Sequence, residues 1–283
     1  MSYLEIKNIT KSFGNTTALD NVSLNLQRNK IYGLLGRNGA GKTTLLNLIT
    51  NRIFPTQGEI FVEGDKVFEN DIPMSKIYYM TEKNLYPDNM TVKKAFMWSR
   101  EFYPDFDIEY AEELCDKFSL IRGKKIRSLS TGYQSIFKII IALACNSPIV
   151  LLDEPVLGLD ANHRDMFYKE LLHNYSENPR TIIISTHLIE EAADIIEDVI
   201  VIKNGKVLMH DTVEKVLSLG YSVSGTAAAV DGYIKGKNVL GMDSLGGLKT
   251  AYLLGKAEQN EIPAGLEAAR LDLQKLFIHM TNS

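Results

Sequence analysis

Residues 33–46 read GLLGRNGAGKTTLL, which sets Gly36, Gly39, Gly41 and Lys42 between two apolar runs. Glycine costs backbone entropy and gives a core no side chain, so a segment this rich in it is holding the backbone close to something. Gly36, four residues, then Gly41, Lys42 and Thr43 fits the phosphate-loop pattern in full. Ile31, Tyr32, Leu34 and Leu35 precede it as a buried parallel strand would, and Leu45, Leu46, Leu48 and Ile49 follow at helical spacing. Strand, glycine loop and helix therefore come in the order that lets loop N–H groups and a helix N-terminus wrap an anion. Lys42 is expected to reach the outer phosphates of a nucleotide, and the Thr43 hydroxyl to ligate Mg²⁺. The alternative is a tight strand-to-helix turn with no ligand.

Further on, IVLLDEP closes an apolar run with Asp153 and Glu154. Ligands of open α/β sheets gather at the carboxyl ends of strands, so these acids are expected to face the same crevice as the glycine loop. Asp153 then suits Mg²⁺ held through water, and Glu154 suits a group that orients or deprotonates an attacking water. IIISTH ends another buried-type strand with His187, placed to contact the γ-phosphate.

The first sixty-odd residues alternate with period two in YLEIKNI, ALDNVSLNL and GEIFVEGDKVF, the pattern of a half-exposed antiparallel layer. From Tyr86 to about Arg127 the spacing turns helical and aromatic, with Phe96, Trp98, Phe102 and Phe118, and reads as a helical insert. Asn204-Gly205 between alternating arms predicts a type I′ hairpin. LIEEAADIIEDV reads as a solvated helix face.

The chain has 283 residues, a formal charge of −4 and a pI near 5.8, so it offers no basic footprint for nucleic acid. Cys115 and Cys145 sit in apolar surroundings without metal-ligand spacing and read as reduced core residues. Met1-Ser2 leads into YLEIKNITKSF, not into a basic start and an apolar stretch, so secretion is not expected. Apolar runs such as IIIALAC (139–145) fall short of the ~20 residues of a membrane helix. Any work across a bilayer would need another chain.

LSTGYQ (129–134) precedes the apolar helical pattern IFKIIIALAC, so Ser130 and Gly132 fall at a helix N-terminus, a second anion site with no lysine of its own. With this motif roughly ninety residues after the phosphate loop and just before the Asp-Glu strand, the sequence resembles the ATP-binding subunits of ABC transporters over about residues 1–213. The resemblance implies an α/β fold: a P-loop ATPase core of mixed, largely parallel sheet, a flanking antiparallel β layer and a helical subdomain at about 86–147. It implies that Phe13 stacks on adenine, that Gly36, Arg37, Asn38, Gly39, Ala40, Gly41, Lys42, Thr43 and Thr44 form the phosphate loop, and that Glu154 is the general base. Asp160 in LGLD would couple two sites, and His187 would be the switch histidine. Two departures stand out. The signature has Thr131 for the usual Gly and Tyr133 for the usual Gln, and Glu82 in IYYMTEKNLYP takes the place of a metal-binding glutamine. Glutamate keeps an oxygen for Mg²⁺, alongside Thr43 and Asp153, but loses an amide donor and adds negative charge.

The cofactors implied are ATP and Mg²⁺. The partners implied are an integral membrane permease and a second ATPase subunit, at the cytoplasmic face of a cell membrane, with ATP sandwiched so that Ser130 of one subunit meets the phosphate loop of the other. An ABC ATPase outside transport, or a low-turnover ATP-dependent regulatory or resistance protein, is the competing reading. The remaining segment, 214–283, is expected to be a small α+β appendage: strand, helix, a pair of strands around Leu245-Gly246-Gly247, and a closing helix over LEAARLDLQKLFIHM. Its apolar stripe would be Ala269, Leu273, Leu276, Phe277 and Met280, packed on its own strands or belonging to a dimer-stabilising or regulatory appendage. Similar tails occur in bacterial exporter ATPases for drugs, bacteriocins and other peptides, which favours export.

Overall fold

Alternation at the N-terminus becomes an antiparallel layer. A computed structural model describes residues 3–87, 89–257 and 262–282; Met1, Ser2 and Ser283, at the ends of the segments expected at 1–213 and 214–283, lie outside the described residues, as do Asp88 and 258–261. Strands β1 (Leu4–Phe13), β2 (Thr16–Leu26), β4 (Gln57–Val62) and β5 (Asp65–Lys66) form a sheet in the order β2-β1-β4-β5, and every pairing in it is antiparallel. Its inward side chains, among them Leu4, Ile6, Leu24, Leu26, Ile60 and Val62, share a core with helix α1 (Lys42–Ile49) and one face of the central sheet.

The central sheet runs β10-β9-β3-β8-β7-β6. Strands β3 (Ile31–Leu35), β6 (Ile77–Met80), β7 (Ile149–Asp153), β8 (Thr181–Ser185) and β9 (Asp198–Lys203) are parallel, and every residue of β3, β7 and β8 is buried. Burial on both faces is what the Ile, Val and Leu at their centres serve. Strand β10 (Lys206–Thr212) adds antiparallel to β9 through Asn204 (φ 50°) and Gly205 (φ 75°), the two positive angles a type I′ turn requires. Short helix α2 (Asp71–Met74) leads into β6.

Between β6 and β7 the chain builds a helical block of α3 (Val92–Phe102), α4 (Ile108–Lys117), a 3₁₀ turn at Ile126–Ser128 and α5 (Thr131–Ala144). Thr91, Asp107 and Ser130 cap the three α-helices, each through its side-chain oxygen. Phe96, Phe106, Phe118 and Phe137 fill the block, with both free cysteines, Cys115 and Cys145, buried beside them. Helix α6 (Ala161–Glu177) follows β7 and is capped by Asp160.

Two expectations fail here. LIEEAADIIEDV yields only the short helix α7 (Ile189–Ala193), and Ile189, Ala192, Ile195 and Ile196 are buried in the main core, so the segment is not a solvated face. The closing helix is also shorter than read. After α8 (Val213–Leu217), the C-terminal sheet runs β12-β13-β11-β14, all antiparallel, from β11 (Gly220–Thr226), β12 (Val239–Leu245), β13 (Leu248–Leu254) and β14 (Leu266–Arg270), with α9 (Ala227–Tyr233) packed on β11 and β13. Ala269 therefore pairs with Ser222 on a strand, and only then does α10 (Leu273–Asn282) begin. Leu273 and Leu276 are buried in the main core, with Phe277 and Met280 against it, and α10 packs on α7, α8 and β12. The stripe joins the C-terminal sheet to the rest of the molecule instead of serving its own strands alone.

Candidate functional site

Parallel register decides which side chains meet. Leu34 of β3 is level with Ser185 of β8, and Ser185 is level with Asp153 of β7. The glycine loop, Glu154 and the Thr186-His187 turn thus leave the sheet together at its carboxyl edge.

The loop from Gly36 to Thr44 closes on itself. The Ala40 N–H donates to Arg37 O at 3.0 Å, and Ala40 O accepts from the Gly205 N–H at 3.0 Å, which ties the loop to the β9–β10 turn. Gly41 is at φ 112°, and a Cβ there would lie 2.7 Å from a Leu19 methyl and 2.8 Å from Ala18 O. Only glycine meets both demands. Asn38 and Gly39 stand at the exposed tip. Lys42 is buried, its Nζ donating to Gly36 O at 2.6 Å. Burial pulls its pKa below the ordinary lysine value, while Glu154 and Asp153 oppose that shift.

Asp153 is 4% exposed and accepts two hydroxyls on Oδ2, from Thr43 Oγ1 at 3.0 Å and from Tyr79 OH at 3.2 Å. Arg52 stacks over the Tyr79 ring, 4.9 Å from its centroid. Glu154 sits in the left-handed region at φ 50°, uncommon for a residue with a Cβ, and its N–H donates to Ser185 O at 2.8 Å. That backbone turn brings Glu154 Oε2 to 2.8 Å from His187 Nδ1, whose N–H donates to the carboxylate. Lys42, Thr43, Asp153, Glu154 and His187 are thereby brought into one cluster.

The other expected residues are not bonded into it. Phe13, at the end of β1, is 51% exposed, with Lys11 Nζ 4.9 Å from its ring centroid. Ser130 caps α5 by accepting from Tyr133 N at 3.4 Å. Gly132 packs so closely on the loop after β7 that a Cβ would fall 2.7 Å from Gly158 O, and Ser135 Oγ donates to Leu157 O at 2.8 Å. Asp160 accepts from the His163 N–H and from His163 Nδ1, both at 2.9 Å. The His163 backbone N–H, then its ring, hold the Asp160 carboxyl below its usual range. Glu82 is exposed on the turn after β6, and its carboxylate forms no bond to Thr43 or Asp153.

Three polar residues in this region went unassigned in the sequence. Tyr79 is one. His163 is another: its ring stacks on Phe118 at 6.2 Å and meets Tyr133 edge-on at 6.1 Å, joining Asp160 to the signature helix and α4. Lys138 is the third, a buried lysine of α5 whose Nζ donates to Thr81 O and Glu82 O. None carries a local motif.

The donor set of Thr43 and Asp153 is all oxygen, and among the described residues no group of three His, Cys, Asp or Glu side chains could hold a metal. That suits Mg²⁺, which takes one or two protein oxygens and completes its shell with phosphate and water. Among the described residues no helix is long and apolar enough to cross a membrane.

Residues 19–157 match the family described as ABC transporter. The ABC transporter ATP-binding protein YtrB of Bacillus subtilis is 34% identical over 188 residues, 66% of this chain and 64% of YtrB. An uncharacterized ABC transporter ATP-binding protein of Methanocaldococcus jannaschii, MJ1023, is 32% identical over 221 residues, 75% of this chain and 79% of that protein. Further relatives at 27–32% identity bear the names of importers of spermidine/putrescine, ribose, xylose and ferric ions. Among solved structures, the ATP-binding cassette MJ0796, captured as a dimer in a post-hydrolysis state with ADP and Pi, superposes with a TM-score of 0.66 at 27% identity, covering 74% of this chain and 98% of that one.

Proposed function

The chain belongs to the ABC transporter family of ATP-binding proteins, whose cassettes are ATPases, and from that premise we propose that it hydrolyses ATP between two subunits to drive a membrane permease. One observation carries the reading: the basic, hydroxyl and acidic groups that phosphoryl transfer needs converge at one sheet edge, while Ser130 and its helix N-terminus stand outside that cluster and have no phosphate loop of their own to serve. Residues 1–213 would be the ATPase domain, with the helical block at about 86–147 as a subdomain, and 214–283 an accessory domain.

Phosphoryl transfer asks mainly for positioning and charge stabilisation. The phosphate-loop N–H groups and Lys42 hold the phosphates, and Lys42 must leave Gly36 O to do so. Thr43 and Asp153, with Glu82 nearby on its turn, are the residues that would hold Mg²⁺, which when bound neutralises phosphate charge. Glu154 orients and deprotonates the attacking water, and His187, already hydrogen-bonded to that carboxylate, fixes its direction and faces the γ-phosphate. Phe13 offers an open aromatic face for adenine. A second subunit supplies Ser130 and Gly132 across the nucleotide, and Asp160, rigidly capping α6 beside the signature helix, couples the two sites. Exposed Trp98 and Phe102 of α3, with Leu85 on the turn before the helical block, line one apolar surface suited to the permease, which would place the protein at the cytoplasmic face of the membrane. Export rests on the likeness of the C-terminal extension to exporter tails, and relatives bearing the names of importers offer no added support.

Paired substitutions test this. Lys42→Ala is expected to weaken ATP affinity by at least about tenfold through loss of a charge-assisted phosphate contact. Glu154→Gln is expected to bind ATP normally, lose on the order of 10²–10⁴ in turnover and accumulate as a dimer by gel filtration with ATP. Unchanged affinity in the first variant, or wild-type turnover in the second, would refute the assigned roles.

A further inference from the structure

Helix α5 buries Ile136, Phe137, Ile139, Ile140 and Ile141, and in the midst of that run stands Lys138, only 7% exposed. An apolar residue would pack there at no electrostatic cost, whereas a buried ammonium must be compensated. Its compensation is specific. Nζ donates to Glu82 O at 2.6 Å and to Thr81 O at 3.0 Å, the two residues that continue β6 beyond Met80. Strand β6 is the parallel neighbour of β7, so the amine sits where the Glu82 turn and the Asp153-Glu154 turn emerge side by side.

We propose that Lys138 is a positioning residue of the nucleotide site, anchoring the turn that carries Glu82 and supplying the positive charge that a carboxylate at that place requires. The proposal rests on the nucleotide-binding reading above. A carboxylate beside bound phosphates raises the local negative potential, and a neutral amide would not. Lys138 offsets that charge from beneath the turn, and the negative charges of Glu82 and Asp153 in return oppose the loss of its proton that burial favours. Ser130 lies eight residues earlier on the same helix, about 12 Å along its axis. One rigid element thus joins the group expected to face the partner's nucleotide to the turn beside this chain's own.

The test is a double-mutant cycle on the full chain, read by Mg²⁺-free affinity for a fluorescent ATP analogue and by steady-state turnover. Lys138→Met is expected to lose about tenfold in both, as two carbonyls and one carboxylate lose their cation. Lys138→Arg, which keeps charge and donors, is expected to stay within about threefold of wild type. Adding Glu82→Gln to Lys138→Met is expected to restore most of the lost affinity, because the charge needing compensation is gone. A double variant no better than Lys138→Met, or an arginine variant as impaired as the methionine one, overturns the proposal. Should Lys138→Met not fold, Glu82→Gln alone decides: an uncompensated Lys138 should tighten Mg²⁺-free binding about threefold, and unchanged affinity overturns the idea. Failure of the underlying reading looks different, since the wild-type chain would then not bind the analogue or Lys42→Ala would leave binding intact.

Discussion

At the residue scale Ser130 caps α5, and the proposed function gives it a second, separable job. Its cap bond to Tyr133 N is 3.4 Å long, beyond the usual range for a strong N–H···O bond, so Ser130→Ala should cost only about 0.5 kcal/mol of stability. If its hydroxyl also meets the partner's γ-phosphate, the same variant loses on the order of ten- to a hundredfold in turnover. A melting curve close to wild type beside that loss supports the split, and full activity sinks it. Gly132 has no such freedom. Any Cβ there strikes Gly158 O, so Gly132→Ala should destabilise by about 1–3 kcal/mol as the signature helix is pushed off the turn after β7, which a urea titration would read as a lower midpoint. The placement of Ser130, Gly132, Lys42 and Glu154 was legible because it lies in sequence order: a cap before an apolar helix, a glycine loop after a strand, an acid at a strand end. Tyr79 and Lys138 act through neighbours more than fifty residues away, and His163 joins its local partner Asp160 to Phe118 and Tyr133 by ring contacts that no spacing in the chain marks.

Among the elements, the helical block carries a titration prediction. Burial raises the hydroxyls of Tyr86, Tyr103 and Tyr110 from 10.0 to about 12, and the Cys115 thiol from 9.0 to about 12. In each the folded state holds its proton more tightly than the unfolded chain. The stability they contribute is therefore complete below the ordinary values and is lost as pH climbs toward about 12. Melting temperature should hold to about pH 9 and then fall steadily, with Tyr86, Tyr103 and Tyr110 losing their protons together with the helical signal; ionisation of these three near pH 10 with the helices intact, followed by ring NMR signals, would contradict it. The same scale shows where reading by pattern breaks down. LEAAR is made of helix formers, yet Leu266–Arg270 is a strand, because pairing with Tyr221 to Gly225 of β11 outweighs local preference. In LIEEAADIIEDV the acids suggested a solvated face, but Glu191 is engaged by Arg164 at 3.3 Å, and the isoleucines turn inward once the helix ends at Ala193. The strands β3, β7 and β8 were readable because burial on both faces selects an apolar centre, with polar residues such as Asp153, Thr181 and Ser185 only at the strand ends.

For the whole molecule, Ser130 forms no bond with the Lys42–Glu154 cluster, and the proposed function requires a second chain to supply it there. A closed two-fold pair would place each signature helix over the other chain's phosphate loop, because an isologous interface repeats every contact twice. Complementation distinguishes this from a self-sufficient site. On that reading Lys42→Ala would disable the phosphate loop of its own chain, and Ser130→Ala would disable what that chain lends to its partner. Neither pure variant then contains an intact site. In a mixed dimer one site combines both defects, while the other joins the normal Lys42 of the Ser130→Ala chain to the normal Ser130 of the Lys42→Ala chain. Random pairing makes half the dimers mixed, each with one good site of two, so an equal mixture should recover about a quarter of wild-type turnover if the sites act independently. The recovery should also grow with total protein concentration, since dimer formation is bimolecular. A mixture no more active than its components would show that a second copy of this chain does not complete the site, and a wild-type rate per chain that does not vary on dilution to monomer would show that the site needs no second chain.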